Sequence, residues 1–344
     1  MRFVSLGEQD EPFHEPLDPQ AVEKVCGEAF GSATRISDCR QIAGGQLNAV
    51  YRIAFAQRAP VVLRLGPPAG APLLRHEQAL LQREAALQPL LADACPLIPK
   101  LLHQDFTCAT LERPLLLLEY RGGARWDRVG ERIPVRAAHA LWMQFGDAVR
   151  NLHELQGSVF GFPPPAQGWS SHAQWLIHLV DELALDLEQC GIAVAGLARF
   201  REQLRACRAQ LELSQPPRLV HGDLWPRNVL VEQHDDGWRI SAILDAERAF
   251  WGEPAAEWIF GFLDLPQAFW EAYGTRLDPQ HLDGDLLLRS RVYQARGALQ
   301  LILECDRSGV DAGFAHENFR IATELLYRLR ESVCTWGNKG KGGR

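Results

Sequence analysis

His221-Gly-Asp-Leu-Trp-Pro-Arg-Asn-Val-Leu-Val231 is the stretch from which the architecture of this chain can be read. It sets a carboxylate, Asp223, and an amide, Asn228, in one short polar turn between two apolar runs, Leu219-Val220 before it and Val229-Leu230-Val231 after it. Such runs suit buried strands. An Asp and an Asn five residues on, between strands, match an arrangement used for phosphoryl transfer. There the carboxylate accepts the proton of an attacking hydroxyl, and the amide oxygen holds a metal that bridges nucleotide phosphates. A second carboxylate, Asp245, closes the next apolar run, Ile240 to Leu244. Between the runs, Asp235-Asp236-Gly237 has the chemistry of a tight hairpin. That hairpin would carry Asn228 and Asp245 to one rim, close enough to share Mg²⁺. A lone Asp after a strand is most often a turn residue; the combination carries the reading.

These motifs resemble those of the aminoglycoside phosphotransferase/choline kinase superfamily, small-molecule kinases with a protein-kinase-like fold. The family's HGDxxxxN stretch is here His221-Gly222-Asp223 with Asn228. Its metal-binding Asp, whose segment often continues to Gly-[Asp/Glu]-Pro, is here Asp245 with Gly252-Glu253-Pro254. The likeness runs from about residue 40 to about residue 265. It implies a two-lobed α+β fold: a small antiparallel-sheet N-lobe over 1–119 that binds nucleotide, and a mostly helical C-lobe over 120–336 for catalysis and substrate. ATP and Mg²⁺ are the implied cofactors, and the implied partner is a small molecule with a hydroxyl acceptor. Asp223 would be the base, Asn228 and Asp245 the metal ligands, and His221 a brace for the loop. Three departures are visible: Arg64 where a Lys is commoner, Trp225 and Arg227 in the loop, and Ala246 where an aromatic is common after the metal Asp.

Further assignments follow along the chain. Residues 1–20, with three prolines, read as a loose lead-in, and Asp18-Pro19 caps a helix to about Phe30. Residues 41–55 alternate as a hairpin with Gly44 and Gly45 at its bend, which the resemblance makes the nucleotide-covering loop. Arg64, inside the apolar run 60–65, stands where related kinases carry a phosphate-clamping cation. Its fork can grip phosphate bidentately. An Arg in such a run needs a partner. The helix expected over His76–Leu91 offers Glu77 and Glu84, of which Glu84 fits the family's pairing position better. Leu115 to Tyr120 reads as a buried strand ending at the hinge, where backbone groups of Glu119 and Tyr120 would meet adenine. A helix follows over 135–155; within it His153 reads as structural. Further helices close the chain over 285–305 and 316–333, with a disordered Gly/Lys-rich tail from 337 to 344.

Composition narrows the partners. The chain has 344 residues, a net charge of −7, 23% charged and 47% hydrophobic residues. That balance gives no sign of nucleic-acid binding, and no apolar run approaches the ~18 residues of a membrane span. Eight scattered cysteines without metal spacing read as reduced thiols, and a cytoplasmic location is expected. Two tracts, 158–198 and 249–275, contain no Lys or Arg but carry acids among tryptophans. They suggest a cationic, aminoglycoside-like acceptor held by Glu253 and Glu257, with indole faces assisting. The competing reading is amphipathic helices whose aromatics fill the core. Choline, homoserine, fructosamine or a sugar are alternative acceptors, GTP an alternative donor, and a non-catalytic nucleotide-binding module the rival from another class.

Overall fold

The computed structural model describes residues 2–4, 17–43, 47–258 and 264–339, with side chains described as far as residue 330. Strands β1 (Arg2–Val4), β2 (Ile36–Ile42), β3 (Ala49–Phe55), β4 (Val61–Leu65), β5 (Leu101–Asp105) and β6 (Leu115–Glu119) build one sheet in the order β1-β2-β3-β4-β6-β5. All neighbours are antiparallel except β1 and β2, which pair in parallel. The lead-in therefore contributes an edge strand, a correction to its reading as wholly loose. Gly44 and Gly45 lie outside the described residues.

Helix α1 (Pro19–Phe30) starts where Asp18 accepts a hydrogen bond from the Gln20 amide at 3.0 Å. It packs Val22, Val25 and Cys26 against Tyr51, Ile53 and Leu63. Side chains alternate across a strand, so Leu63, Leu65, Leu115 and Leu117 face α1. Val62, Leu116 and Leu118 face the other side, against Leu81 and Ala85 of helix α2 (Leu80–Ala94). Arg64 belongs to that second set by the same alternation, which points a cation at α2.

α2 begins later than the periodicity predicts. Residues 75–77 form a separate 3₁₀ turn and Ala79 takes a left-handed φ of 58°. Glu77 is thereby off the helix and does not share a face with Glu84. Burial pushes the free thiols of Cys26 and Cys39 up to about 12, so both remain protonated.

After β6 the chain passes through β7 (Ala124–Arg125), α3 (Trp126–Val129) and α4 (Val135–Glu154) into the helical part. This comprises α5 (His172–Gln189), α6 (Leu197–Ala206), α7 (Arg208–Leu211), α8 (Gln267–Tyr273), α9 (Gly284–Arg307) and α10 (Gly313–Lys339). Four short strands are set into it: β8 (Arg218–Val220), β9 (Val229–His234), β10 (Gly237–Ile243) and β11 (Phe250–Gly252). β9 and β10 form the expected hairpin, with β7 on the outer side of β9, while β8 pairs with β11.

Leu141, Phe145 and Val149 of α4 pack under the hairpin on Ile243 and Phe269. α5, α9 and α10 enclose the second core, with Trp175, Tyr293 and Phe319. Trp175, Trp251 and Trp270 are all buried in these cores, so these three tryptophans fill the interior. α10 continues through residue 339, past the point where a tail was expected, and residues 340–344 lie outside the described set. Among the described residues no helix is long and apolar enough to cross a membrane.

Candidate active site

The catalytic-type loop between β8 and β9 is fixed from below by a single carboxylate. Glu257, in the 3₁₀ turn Pro254–Trp258, accepts from the backbone amides of His221 at 2.7 Å and Gly222 at 2.8 Å. It also contacts His153 Nε2 at 3.1 Å, and His153 Nδ1 lies 2.7 Å from the Tyr273 hydroxyl. Burial alone would raise the Glu257 pKa, but the His153 hydrogen bond and the nearby donors hold it below the ordinary carboxylate value. Gly222 is required where it stands: its φ is +81°, and a Cβ there would lie 2.6 Å from the Arg248 carbonyl oxygen. His221 is 1% exposed, and burial pushes its pKa down, leaving a neutral imidazole inside the loop.

Asp223 and Asn228 meet directly. Asn228 Nδ2 donates to Asp223 Oδ2 at 2.6 Å and to the Asp223 carbonyl at 3.0 Å, which leaves the amide oxygen for another ligand. Burial raises the Asp223 pKa to about 7, against the pull of the Arg248 charge. The hairpin brings in the third group. The Leu244 amide bonds the Asn228 carbonyl at 2.8 Å, and Asp245 then turns left-handed at φ 64°, with its side chain 46% exposed. Asp tolerates that backbone better than most residues do. Two oxygen donors of this kind, an amide and a carboxylate, suit a hard divalent cation such as Mg²⁺.

Across the cleft, Arg64 Nη1 pairs with Glu84 at 2.8 Å, and Nη2 reaches Asp245 at 3.0 Å and also bonds Glu247. Glu84 is the pairing acid; Glu77 instead binds Arg307 at 2.5 Å and the Leu74 amide at 3.0 Å. Asn48 Nδ2 donates to Glu247 at 2.5 Å. Three carboxylates thus crowd one guanidinium. Burial opposes the Arg64 charge, but Glu84, Glu247 and Asp245 together hold it. Burial outweighs Arg64 for Glu84, which is pushed up to about 7.

Arg64, Glu84, Glu119, Tyr120, Asp223, Asn228 and Asp245 all line one cleft of about 550 Å³. Val50, Val62 and Leu118 of the sheet face Leu230 and Ile243 of the hairpin at its apolar end. The Glu119 amide is spent on the Lys100 carbonyl at 2.8 Å, so it is not a donor for a ligand. Trp225 and Arg227 also line the cleft, the guanidinium 5.5 Å from the ring centre, and Ala246 is buried.

Glu253 and Glu257 are a correction. Glu257 is consumed by the loop, and Glu253 takes Arg289 at 2.9 and 2.7 Å and the Tyr293 hydroxyl at 2.7 Å. Neither has a free face for an ammonium group. Asp181 likewise pairs with Arg201 and Arg205, and Glu182 and Asp186 with Arg75. The cations come from outside the tracts, which is why the tracts looked unbalanced in isolation. The sequence reading passed over Asn48, Glu247, Arg248 and Glu304. Its available signal was the charged pair Glu247-Arg248 directly after Asp245, between two apolar runs.

Searches among curated protein sequences give no match. Solved structures give the fold. Aminoglycoside phosphotransferase APH(4)-Ia, a thermostable mutant in ternary complex with AMP-PNP and hygromycin B, superposes with a TM-score of 0.61 at 20% identity. The match covers 88% of this chain and 98% of that one. A candidate fructosamine-3-kinase from Thermobifida fusca matches with a TM-score of 0.61 at 18% identity over 88% and 99% of the two chains. A GDP complex of an aminoglycoside 2'-phosphotransferase-IIIa mutant gives 0.56 at 16% over 92% and 98%. The model of the phosphotransferase enzyme family APH matches residues 38–296. On that match, and with the fold in agreement, the chain belongs to the APH phosphotransferase family.

Proposed function

We propose that the protein is an ATP-dependent kinase that transfers the γ-phosphoryl group to a hydroxyl of a small molecule. The observation that carries this reading is the Asp223–Asn228 bond at 2.6 Å on the same cleft wall as Asp245, with the Arg64–Glu84 pair opposite. The acceptor oxygen forms a bond to Pγ, the bond from Pγ to the bridging oxygen of ADP breaks, and the hydroxyl proton passes to Asp223. Asn228, by bonding Oδ2, fixes the rotation of that carboxylate so that Oδ1 faces the acceptor. Mg²⁺ held by the Asn228 amide oxygen and Asp245 would neutralise charge on the nucleotide phosphates. Arg64, oriented by Glu84, presents its second Nη to the same region. The apolar end of the cleft takes the base, read by the Glu119 carbonyl and Tyr120 backbone.

ATP has the support of the AMP-PNP complex of one structural neighbour; the GDP complex of another keeps GTP as the alternative donor. An aminoglycoside-like acceptor has the support of the neighbour that binds hygromycin B, but no longer that of Glu253 and Glu257. A non-catalytic module is disfavoured, because the three polar groups it would have lost are present and share the cleft. The test is transfer of label from γ-labelled ATP to a panel of hydroxyl compounds. Labelled product with the wild type and none with Asp223→Asn is expected; equal labelling by both would refute the assignment.

A further inference from the structure

Glu304 stands on α9 with one carboxylate oxygen tied back and the other unclaimed. Arg248 Nη1 donates to Oε1 at 2.9 Å, Gln300 Nε2 donates to the same atom at 2.8 Å, and His76 Nε2 lies 3.8 Å from it. Among the described residues no hydrogen bond reaches Oε2. Gln300 and Glu304 are four residues apart on α9 and so share a face, and Leu301 lies beside them. Leu301 and Glu304 both line the cleft, and the Glu304 side chain keeps 16% of its surface exposed. The base is near. Glu304 is among the charges that act on Asp223, and Arg248 acts on both. Burial would raise the Glu304 pKa, but the Arg248 charge and the adjacent His76 hold it far below the ordinary carboxylate value. Oε2 is therefore an acceptor that carries no proton.

The surroundings do not cancel this charge. Burial opposes the Arg248 charge, which Glu304, Asp223, Glu247 and Glu77 together sustain, so one guanidinium serves four carboxylates. His76 is pushed down by burial and stays a neutral imidazole. Arg296 lies on the same helix, eight residues back, and does not line the cleft. Around the whole cleft, seven carboxylates stand against five arginines. An anionic group is repelled from such a wall, and a group that donates to a carboxylate is favoured.

We propose that Glu304 binds the acceptor, its Oε2 accepting from a second donor, a hydroxyl or an ammonium, carried next to the hydroxyl that is phosphorylated. The acceptor is then a vicinal diol or amino alcohol: Asp223 takes the reacting hydroxyl and Glu304 its neighbour. Arg248 and Gln300 are positioning residues, because they fix the carboxylate by its other oxygen. This rests on the phosphoryl-transfer reading and names the group, and the residue, that selects the acceptor.

The test is calorimetric titration of four size-matched probes into the protein saturated with Mg²⁺ and AMP-PNP. They are cyclohexanol, 1,2-cyclohexanediol, 2-aminocyclohexanol and 2-hydroxycyclohexanecarboxylate. The diol or the amino alcohol should bind more tightly than cyclohexanol and the hydroxy acid, and which of the two binds better separates hydroxyl from ammonium recognition. Glu304→Gln keeps an amide oxygen for Arg248 and Gln300 and places an N–H group where Oε2 stood. In that variant the advantage over cyclohexanol should fall roughly tenfold or more, as for loss of a charge-assisted contact. The hydroxy acid should gain on the amino alcohol, a change of preference that a residue serving only to tether Arg248 would not produce. A diol and an amino alcohol that bind wild type no better than cyclohexanol would overturn the proposal, and this ranking needs no variant. So would an undiminished advantage in a Glu304→Gln protein that still binds AMP-PNP. Failure of AMP-PNP itself to bind the wild type would instead count against the kinase reading.

Discussion

Asp223 works under three local influences that can be varied separately: the Asn228 bond, the Arg248 charge and burial. Asp223→Asn should cost roughly 10²–10⁴-fold in kcat, the usual range for loss of a positioned base. Nucleotide binding should be nearly intact, as steady-state kinetics and titration would show. The carboxyl must be ionised to act, and burial places its pKa at about 7, so kcat/KM should rise with pH through that value. Arg248 favours the ionised form, so Arg248→Gln should move the acidic limb to higher pH. A limb unmoved by the substitution would detach Arg248 from the base. At this scale the sequence was readable where chemistry is local: His221 to Asn228 spans eight positions, and its residues alone set Asp223 and Asn228 in one turn. It misled where a partner is remote. Glu253 meets Arg289 and Glu257 meets the His221 amide, each 36 residues away, and nothing in the acidic tracts announces those pairings.

Elements were legible in proportion to how far their boundaries depend on backbone chemistry. α1 begins at Asp18-Pro19 and the β9–β10 hairpin turns at Asp235-Asp236, both as the residues predict. The start of α2 is hidden because Ala79 adopts a conformation that no alanine advertises, and β1 is too short to show a period. The turn carrying Glu257 has a consequence for stability. Glu257→Ala would strand two backbone amides and His153 in the interior, and should cost about 3–5 kcal/mol, the range for removing one partner of a buried charged pair. Glu257→Gln should cost less, since its amide oxygen still accepts. Because Glu257 is held below its ordinary pKa, its contribution is present above about 4.5, the unfolded value, and is lost as pH falls through the folded one. Urea unfolding at several pH values would check this. A Glu257→Ala protein as stable as wild type would mean that the loop is held by something else.

Over the whole molecule, Arg64 is one tie between the sheet and the helical part, because it stands on β4 and binds Asp245 and Glu247 beyond the hairpin. Arg64→Ala leaves Glu84, Glu247 and Asp245 facing one another. The loss should be several kcal/mol at pH 8. It should shrink toward pH 6, because buried acids whose pKa values are already raised take up protons as the pH falls. Thermal melts at the two pH values would show it, and a pH-independent loss would contradict the crowding. Retention of activity by Arg64→Lys would fit a point charge replacing the fork.

The central claim is that a metal–nucleotide complex sits between these two parts on Asp245 and Asn228. Calorimetric titration of AMP-PNP with and without Mg²⁺ into wild type, Asn228→Ala and Asp245→Ala tests it most directly. The account predicts Mg²⁺-dependent binding by the wild type, a larger loss in Asp245→Ala than in Asn228→Ala, and no Mg²⁺ dependence left in Asp245→Ala. Equal, Mg²⁺-independent binding by all three proteins would contradict it.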